Sequence, residues 1–342
     1  MTSPAVHPAY APLGRAIRRL PLDSDRRAFL GASEIAAVLG LSKYATPLVV
    51  HLRKRGEVPE FEGSAFTEWG TRLEDAVRRA YIEKIAAPGG LDVVPGSVVG
   101  RIQHPSIDWQ VCSPDGMVHL ASANGENPAS WLYGLECKTA DRAVAHLWGE
   151  DGTDQVPDAY ALQCHYAMHV TGLDRWDVAV LIGGNDFRTY TLRRDQELLD
   201  TFLPELGVFW LGVEAGIRPE PMAADNALIG KMLRQAREDL LENDPDVNDL
   251  AVALVQARAD LAVAQEQADE IEARIKARIG ERAGAVGPWG KISWKQNREG
   301  QATDWKAVAK EAGATAELIA AHTTIKAGSR PFRFTAAQGG AA

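Results

Sequence analysis

The spacing of apolar residues along the chain changes from helical to alternating and back, and those changes mark candidate elements. Ser33 to Gly40 reads as a short helix with a serine N-cap, an acid in its first turn and a glycine stop. Thr46-Pro47 opens a second helix, which ends at Arg53-Lys54-Arg55-Gly56 with cations where the helix dipole favours them. Phe66, Trp69, Leu73, Ala76, Val77, Ala80 and Tyr81 recur at helical spacing between about Ser64 and Lys84, so a third helix should pack its apolar stripe against a sheet or other helices. From Leu91 the pattern shortens to strands: Val93 to Val99, Ile107 to Cys112, Met117 to Leu120 and Trp131 to Thr139. The turn Ser113-Pro114-Asp115-Gly116 is expected to join two of them as a hairpin, and Asn124 to Pro128 to form a surface loop. A helix from Asp158 to Thr171 follows, then a hairpin of Trp176 to Ile182 and Phe187 to Leu192, then a helix from Asp195 to about Ala215.

Beyond Pro221 the pattern is helical and acidic. Leu250, Leu254, Ala257, Leu261, Ala264, Ala268, Ile271 and Ile275 alternate in steps of four and three, the seam of a coiled coil or a long helical hairpin. Asn243-Asp244-Pro245-Asp246 breaks this region, so Leu228 to Leu241 is expected to fold back on the later helix. Trp289 to Gln296 and Phe332 to Thr335 read as strands, with helices at Asp304 to Glu311 and Ala316 to Ala321. The expected organisation is an N-terminal segment (1–25), an α/β core with a central mixed sheet (26–221), a helical hairpin or coiled-coil region (222–285) and a small α+β module (286–342).

No apolar run approaches the roughly 18 residues of a membrane span, and the start, with Pro4, Pro8 and Pro12, lacks the pattern of a secretory signal. A cytoplasmic protein is expected. Cys112, Cys137 and Cys164 form no close pair, which argues against a disulfide framework or zinc knuckle. A net charge of −9 argues against indiscriminate coating of nucleic acid. Yet Gly14 to Arg55 carries nine Arg and Lys against three acids, and Gly287 to Ala342 eight against four, so the ends are basic.

The chemistry lies in Asp115, at a strand end, and in Glu136-Cys137-Lys138 on the next long strand. Side chains two apart on a strand share a face, so Glu136 and Lys138 point together and Cys137 points away. Phosphodiester cleavage needs a cation on the attacked phosphate, a nucleophilic water and a group to hold that water; two carboxylates and a lysine can meet those needs. Magnesium, with manganese as a substitute, would find a sufficient ligand set in Asp115, Glu136 and the Cys137 backbone carbonyl. Lys138 would orient the attacking water or lower its pKa. Glu74, on the preceding helix, is a further candidate, either directly or through water to a second ion. Charges retained in the apolar strand around Leu135 to Thr139 favour a site over a surface ion pair.

Taken in order, Arg26 with Leu30-Gly31-Ala32-Ser33-Glu34, Gly70 with Leu73-Glu74, Cys112-Ser113-Pro114-Asp115-Gly116, Leu135-Glu136-Cys137-Lys138, and Tyr160, Gln163 and Tyr166 form a distributed pattern over roughly residues 26 to 220. This pattern resembles the YqaJ-like viral recombinases related to lambda exonuclease, within the PD-(D/E)xK nucleases. The resemblance implies a restriction-endonuclease-like α/β core and a 5′-to-3′ exonuclease of double-stranded DNA ends that leaves a 3′ single-stranded tail for an annealing partner. It also implies Asp115 and Glu136 as metal ligands, Lys138 as the water-activating lysine, and Glu74 and Gln163 as supporting residues. Arg26, Ser33 and Ser113 would hold the terminal 5′ phosphate, with Arg27 an alternative to Arg26. Related enzymes form rings, so a homo-oligomer such as a trimer is implied.

Two rivals remain at this level: a PD-(D/E)xK endonuclease of repair or restriction type, and a DNA-binding recombination accessory with an inert site. In the last module Lys291, Lys295, Arg298, Lys306, Arg330 and Arg333, with Trp289, Trp294 and Trp305, could track a DNA backbone and stack on bases. The preferred expectation places at least two of these tryptophans in the module's own core. His165 and His169 have the spacing of a helical metal pair but no accompanying zinc-protease glutamate, and read as ordinary helix residues. Neither a Walker loop nor a Gly-x-Ser-x-Gly elbow occurs.

Overall fold

The computed structural model describes residues 17–233, 240–296 and 304–323. The chain divides into two compact units between Ile229 and Gly230. The first contains, in order, β1 (Arg18–Leu20), β2 (Leu30–Gly31), α1 (Ile35–Val38), α2 (Pro47–Lys54), α3 (Ala65–Tyr81), β3 (Leu91–Pro95), α4 (Gly96–Val99), β4 (Arg101–Gln103), β5 (Gln110–Cys112), β6 (Gly116–Leu120), β7 (Trp131–Ala140), α5 (Asp158–Thr171), β8 (Arg175–Ile182), β9 (Asp186–Arg193) and α6 (Gln196–Ala215). The short α7 (Asn226–Met232) lies at the boundary.

Two mixed sheets organise this unit. The larger has strand order β3-β6-β7-β8-β9, with β7 and β8 parallel and every other pair antiparallel. A parallel pair needs a crossover, and α5 supplies it. The smaller has order β1-β4-β5-β2, with β5 and β2 parallel. On one face of the larger sheet, Trp176, Val178, Val180 and Tyr190 pack in a large apolar cluster with α5 and α6; on the other, Val93, Val118, Tyr133 and Leu135 pack against Val77 and Tyr81 of α3. Trp176 lies directly over Gly134, where a Cβ would come within 2.4 Å of the indole. Polar anchors sit inside this packing. The Tyr81 hydroxyl donates to Asp177 Oδ2 at 2.5 Å, and Arg175 pairs with the same carboxylate at 2.7 Å, so α3 is fixed to β8. Burying such groups costs little only because each finds its partner.

Several sequence expectations are met closely, among them the helix Asp158–Thr171 and the β8–β9 hairpin. Others are corrected. Ser113-Pro114-Asp115-Gly116 is no hairpin: β5 pairs with β4 and β2, β6 pairs with β3 and β7, and the turn carries the chain from one sheet to the other. The expected strand through Val99 stops at Pro95, after which Gly96–Val99 winds into α4. Ser33 is not an N-cap. It lies inside a 3-10 turn, Ala32–Glu34, whose first free N–H, that of Gly31, is taken by the Glu34 carboxylate at 2.8 Å. The apolar stripe of α3 is buried only in its last turns: Val77 and Tyr81 are covered, but Phe66 and Trp69 are 82% and 61% exposed.

The second unit holds α8 (Pro245–Ile279), a hairpin of β10 (Gly284–Gly287) and β11 (Gly290–Ser293), then α9 (Trp305–Glu311) and α10 (Ala316–Ala321). Part of the expected helical hairpin, residues 234–239, lies outside the described residues. α7 ends at Met232, residues 240–244 are not helical, and Asn243 takes a left-handed conformation before Asp244 caps α8. Leu250 and Leu261 on the α8 seam are exposed among the described residues. The tryptophans do not form a module core either: Trp289, Trp294 and Trp305 are all exposed. The strand read at Phe332 to Thr335, with Arg298, Arg330 and Arg333, lies outside the described residues, and the side chain of Lys306 is not described. Among the described residues, no helix is long and apolar enough to cross a membrane.

His169 of α5 supplies a pH-sensitive contact in the first unit. It stacks on His104 with ring centroids 4.8 Å apart and meets Gln110 Oε1 at 2.9 Å. Burial, reinforced by the charges of His104 and Arg194, pushes its pKa from 6.5 down to about 4. The unfolded chain therefore takes up this proton below about pH 6.5 and the folded chain only below about 4, so stability present at neutral pH is lost between those values. Acidification from pH 7 to 4.5 is expected to remove on the order of 2 kcal/mol through this group, and His169→Gln to flatten the dependence of melting temperature on pH. An unchanged slope in the variant would rule out this contribution.

Candidate active site

β7 outruns its neighbour. β6 begins at Gly116, opposite Leu135, so from Glu136 onward β7 is paired along one edge only, with β8. The Cys137 N–H on the vacated edge donates to Asp115 Oδ2 at 2.7 Å. N–H and C=O of one extended residue face the same edge, so the Cys137 carbonyl points to the side where Asp115 sits. A carboxylate thus stands where the next residue of β6 would have been.

Glu136 and Lys138 project together, as the strand period requires, onto the face covered by α5. Glu136 Oε1 accepts from Lys138 Nζ and from Gln163 Nε2, each at 2.5 Å. The Lys138 ammonium also lies 5.0 Å from the centre of the Tyr160 ring, which stacks on Trp148. Tyr160 and Gln163 are three apart on α5 and so share a face. Cys137 turns the other way, into the apolar cluster with Val77 and Tyr81. Glu74 stands on α3, with Arg78 at 3.4 Å, and α3 passes β7 closely at Gly70, whose Cβ would lie 3.7 Å from Thr139 Oγ1.

The electrostatics are those of crowded carboxylates. Burial, and then the charge of Glu136, push the Asp115 carboxyl well above the usual range, against the opposing pull of Lys138 and of the Cys137 N–H. Glu74 is also raised, by burial first and by Glu136, with Arg78 and Lys138 opposing. Burial alone would lower Lys138, but the charges of Glu136 and Asp115 and the hydrogen bond to Glu136 outweigh it and hold the ammonium above the ordinary lysine value. It is a charged donor and a poor base. Burial drives the Cys112, Cys137 and Cys164 thiols upward, so none is a nucleophile.

These residues suit an oxygen-preferring cation. Asp115, Glu136 and the Cys137 carbonyl offer three oxygens, Glu74 is near enough to feel the charge of Glu136, and a cation would offset the burial and like charge that raise both Asp115 and Glu74. Among the described residues, no three His, Cys, Asp or Glu side chains form a metal-holding group.

The residues expected at a terminal phosphate gather beside this cluster. Parallel pairing sets Gly31 opposite Val111, so Ser33 and Ser113, each two residues further on, lie past the same end of the ladder, and both are exposed. Ser113 is two residues before Asp115. The Tyr166 hydroxyl anchors this end by donating to the Leu30 carbonyl at 3.1 Å. The two arginines part company. Arg26 is half-exposed with Nη2 3.7 Å from Glu34, whereas Arg27 is engaged with Asp25 at 2.7 Å on the surface. One neighbour escaped sequence reasoning: Lys54, taken there as a helix-end cation, is buried and bonded to Glu34 at 2.8 Å. Its position was a signal, because it falls four residues after Val50 and three after His51 on the buried face of α2.

Residues 23–174 match the family described as "YqaJ-like viral recombinase domain". This segment is a YqaJ-like viral recombinase domain. It includes Arg26, Ser33, Glu74, Asp115, Glu136, Lys138 and Gln163. Over 263 residues the chain is 27% identical to "Uncharacterized protein YqaJ" of Bacillus subtilis (strain 168), covering 74% of this chain and 75% of that one. Among solved structures, an alkaline exonuclease (LHK-Exo) from Laribacter hongkongensis is similar with a TM-score of 0.42 and 22% identity, over 56% of this chain and 91% of that one. A phage related exonuclease from Haemophilus somnus 129PT gives a TM-score of 0.38 and 13% identity, over 55% and 95% of the two chains.

In the YqaJ-like domain, Asp115→Asn would keep an acceptor for the Cys137 N–H while removing one of the crowded charges. At pH 7 and without divalent cations the variant is expected to be as stable as the wild type or about 1 kcal/mol more so, measured by thermal unfolding. A marked loss of stability would mean that the strand end needs the carboxylate itself.

Proposed function

We propose that the protein is a magnesium-dependent 5′-to-3′ exonuclease of double-stranded DNA with a restriction-endonuclease-like core of the PD-(D/E)xK kind, leaving a 3′ single-stranded tail for a strand-annealing partner. The observation that carries the reading is the juxtaposition, at one turn between two sheets, of an acid-lysine cluster and a pair of exposed serines: Asp115, Glu136 and Lys138 on one side, Ser33 and Ser113 on the other. End recognition two residues from the cleavage residue suits an enzyme that works from a terminus. The exposed Phe66 and Trp69, on the helix that carries Glu74, offer aromatic faces to unpaired bases.

Asp115, Glu136 and the Cys137 carbonyl would hold magnesium, with Glu74 in contact directly or through water. When bound, the ion would supply positive charge to the attacked phosphate and acidify water. The protein's own groups divide the remaining work. Lys138, kept protonated by Glu136 and Asp115, donates hydrogen bonds that orient the attacking water and stabilise its deprotonated form. Gln163, a neutral donor, fixes the Glu136 carboxylate without cancelling its charge. Ser33, Ser113 and the Arg26 guanidinium would receive the terminal 5′ phosphate. The Tyr160 ring packs on Lys138 and limits where its ammonium can swing.

The test compares linear and covalently closed circular duplex with magnesium. The linear form is expected to be degraded from its 5′ ends and the circle to persist, with Asp115→Ala lowering the rate at least about a hundredfold. Equal degradation of the circle would replace this reading with an endonuclease, and equal activity of Asp115→Ala would remove the assigned site.

A further inference from the structure

The Arg26–Glu34 segment is held from beneath by a buried lysine. No part of the Lys54 side chain is exposed, and its ammonium donates two hydrogen bonds of 2.8 Å, one to the Arg26 backbone carbonyl and one to Glu34 Oε2. The same Glu34 oxygen accepts the Gly31 N–H at 2.8 Å, while the other carboxylate oxygen lies 3.7 Å from Arg26 Nη2. The Phe29 ring lies between two cations, 5.6 Å from the Lys54 ammonium and 5.1 Å from the Arg101 guanidinium. Arg101 closes the far end by donating to the Ser24 carbonyl at 2.6 Å. Of the acids near this segment, Glu34 is the one hydrogen-bonded to the Lys54 ammonium and facing Arg26. A buried ammonium is costly, and an apolar side chain in its place would often be no less stable.

We propose that Lys54 is a positioning residue for recognition of the terminal 5′ phosphate, an inference that rests on the 5′-end reading above. Glu34 is the acid paired with Arg26, and an anion arriving at Arg26 must compete with it. Lys54 takes up the Glu34 charge through a direct hydrogen bond, whereas Arg26 stands off at 3.7 Å with its guanidinium half-exposed. The arrangement leaves Arg26 available to a phosphate. Without the ammonium, Glu34 would have Arg26 as its compensating cation and would draw it into a close pair of the kind guanidinium and carboxylate favour. The bond to the Arg26 carbonyl has a second effect, because it ties the arginine's backbone to the Gly31–Glu34 turn that carries Ser33. Charge and geometry act on the same ligand group.

The experiment measures kcat and KM of the full chain with magnesium on linear duplexes ending in 5′ phosphate or 5′ hydroxyl. Wild type is expected to prefer the phosphate; equal use of both ends would overturn the 5′-phosphate reading itself and this inference with it. Given that preference, Lys54→Met is expected to lower the phosphate-to-hydroxyl ratio of kcat/KM about tenfold, mainly through KM on phosphorylated ends. Adding Glu34→Gln to Lys54→Met should restore most of the preference, since the competing charge is then gone. If Lys54→Met does not fold, Lys54→Gln, which keeps a donor for the Arg26 carbonyl without a charge, takes its place with the same expectation. An unchanged ratio, or an equal slowing on both ends that the second substitution does not reverse, would overturn the role of Lys54 and leave the 5′-end reading standing.

Discussion

Much of the candidate site depends on one hydrogen bond, from the Cys137 N–H to the Asp115 carboxylate. Strand β6 starts two residues too late to pair with that N–H, and its first residue must be small: a Cβ on Gly116 would come within 2.5 Å of Val93 Cγ1. The acid before it is left at the strand end, in a turn that would otherwise let it swing into water. An unsatisfied backbone donor beside a free acceptor resolves both problems at once. The carboxylate is drawn toward the plane of the sheet, next to a side chain that rises from the neighbouring strand, and two acids far apart in sequence come together.

Different arrangements of charge follow on the two sides of this turn. Around Glu136 the described groups are Asp115 and Glu74 against Lys138 and Arg78, with Arg78 partly committed to Asp75. Burial, and after it the charge of Glu136, raises two of the carboxyls, and the charges of Glu136 and Asp115 keep Lys138 protonated. Gln163 supplies a donor without supplying charge, so the orientation of Glu136 is fixed while its attraction for a cation is preserved. On the other side, Arg26 and the buried Lys54 both face Glu34, while Arg101 answers to Asp23 as well as to Glu34. On the proposed reading, the acids would face a cation at the reacting phosphate and the Arg26 guanidinium the terminal one.

What could be read from sequence followed how local the determining physics was. Asp158–Thr171 is fenced by Pro157 and Gly172, and the shared face of Glu136 and Lys138 follows from the period of a strand, so both were legible. Partner choice was not. Pro114 and Gly116 announce a turn, but whether the chain returns along the same sheet or enters another is decided by Leu30, Gly31, Val93 and Leu135, which lie far away in sequence. Ser33 had the chemistry of a cap, yet the turn begins two residues earlier, at Gly31, whose N–H is taken by Glu34. The α3 stripe had helical spacing throughout, and spacing alone does not tell where the sheet beneath it ends. Lys54 shows the same limit in reverse, since a basic run at a helix end suggests solvent and only tertiary packing buries one member of it.

The connection between the sheets also sets a length. Two residues of extended chain span at most about 7 Å, which bounds the backbone separation of Ser113 and Asp115. Successive phosphates on one strand of a duplex advance about 3.4 Å along its axis. On the proposed reading, a phosphate seated at Ser113 would therefore place a bond only one or two nucleotides away within reach of Asp115. Lengthening that turn would move the seat from the reacting group, whereas the flanking loops face no such constraint. On that reading a short, proline-stiffened passage between two sheets would be a ruler as well as a connection, and its fixed ends are the Val111–Gly31 pairing on one side and the Asp115–Cys137 hydrogen bond on the other.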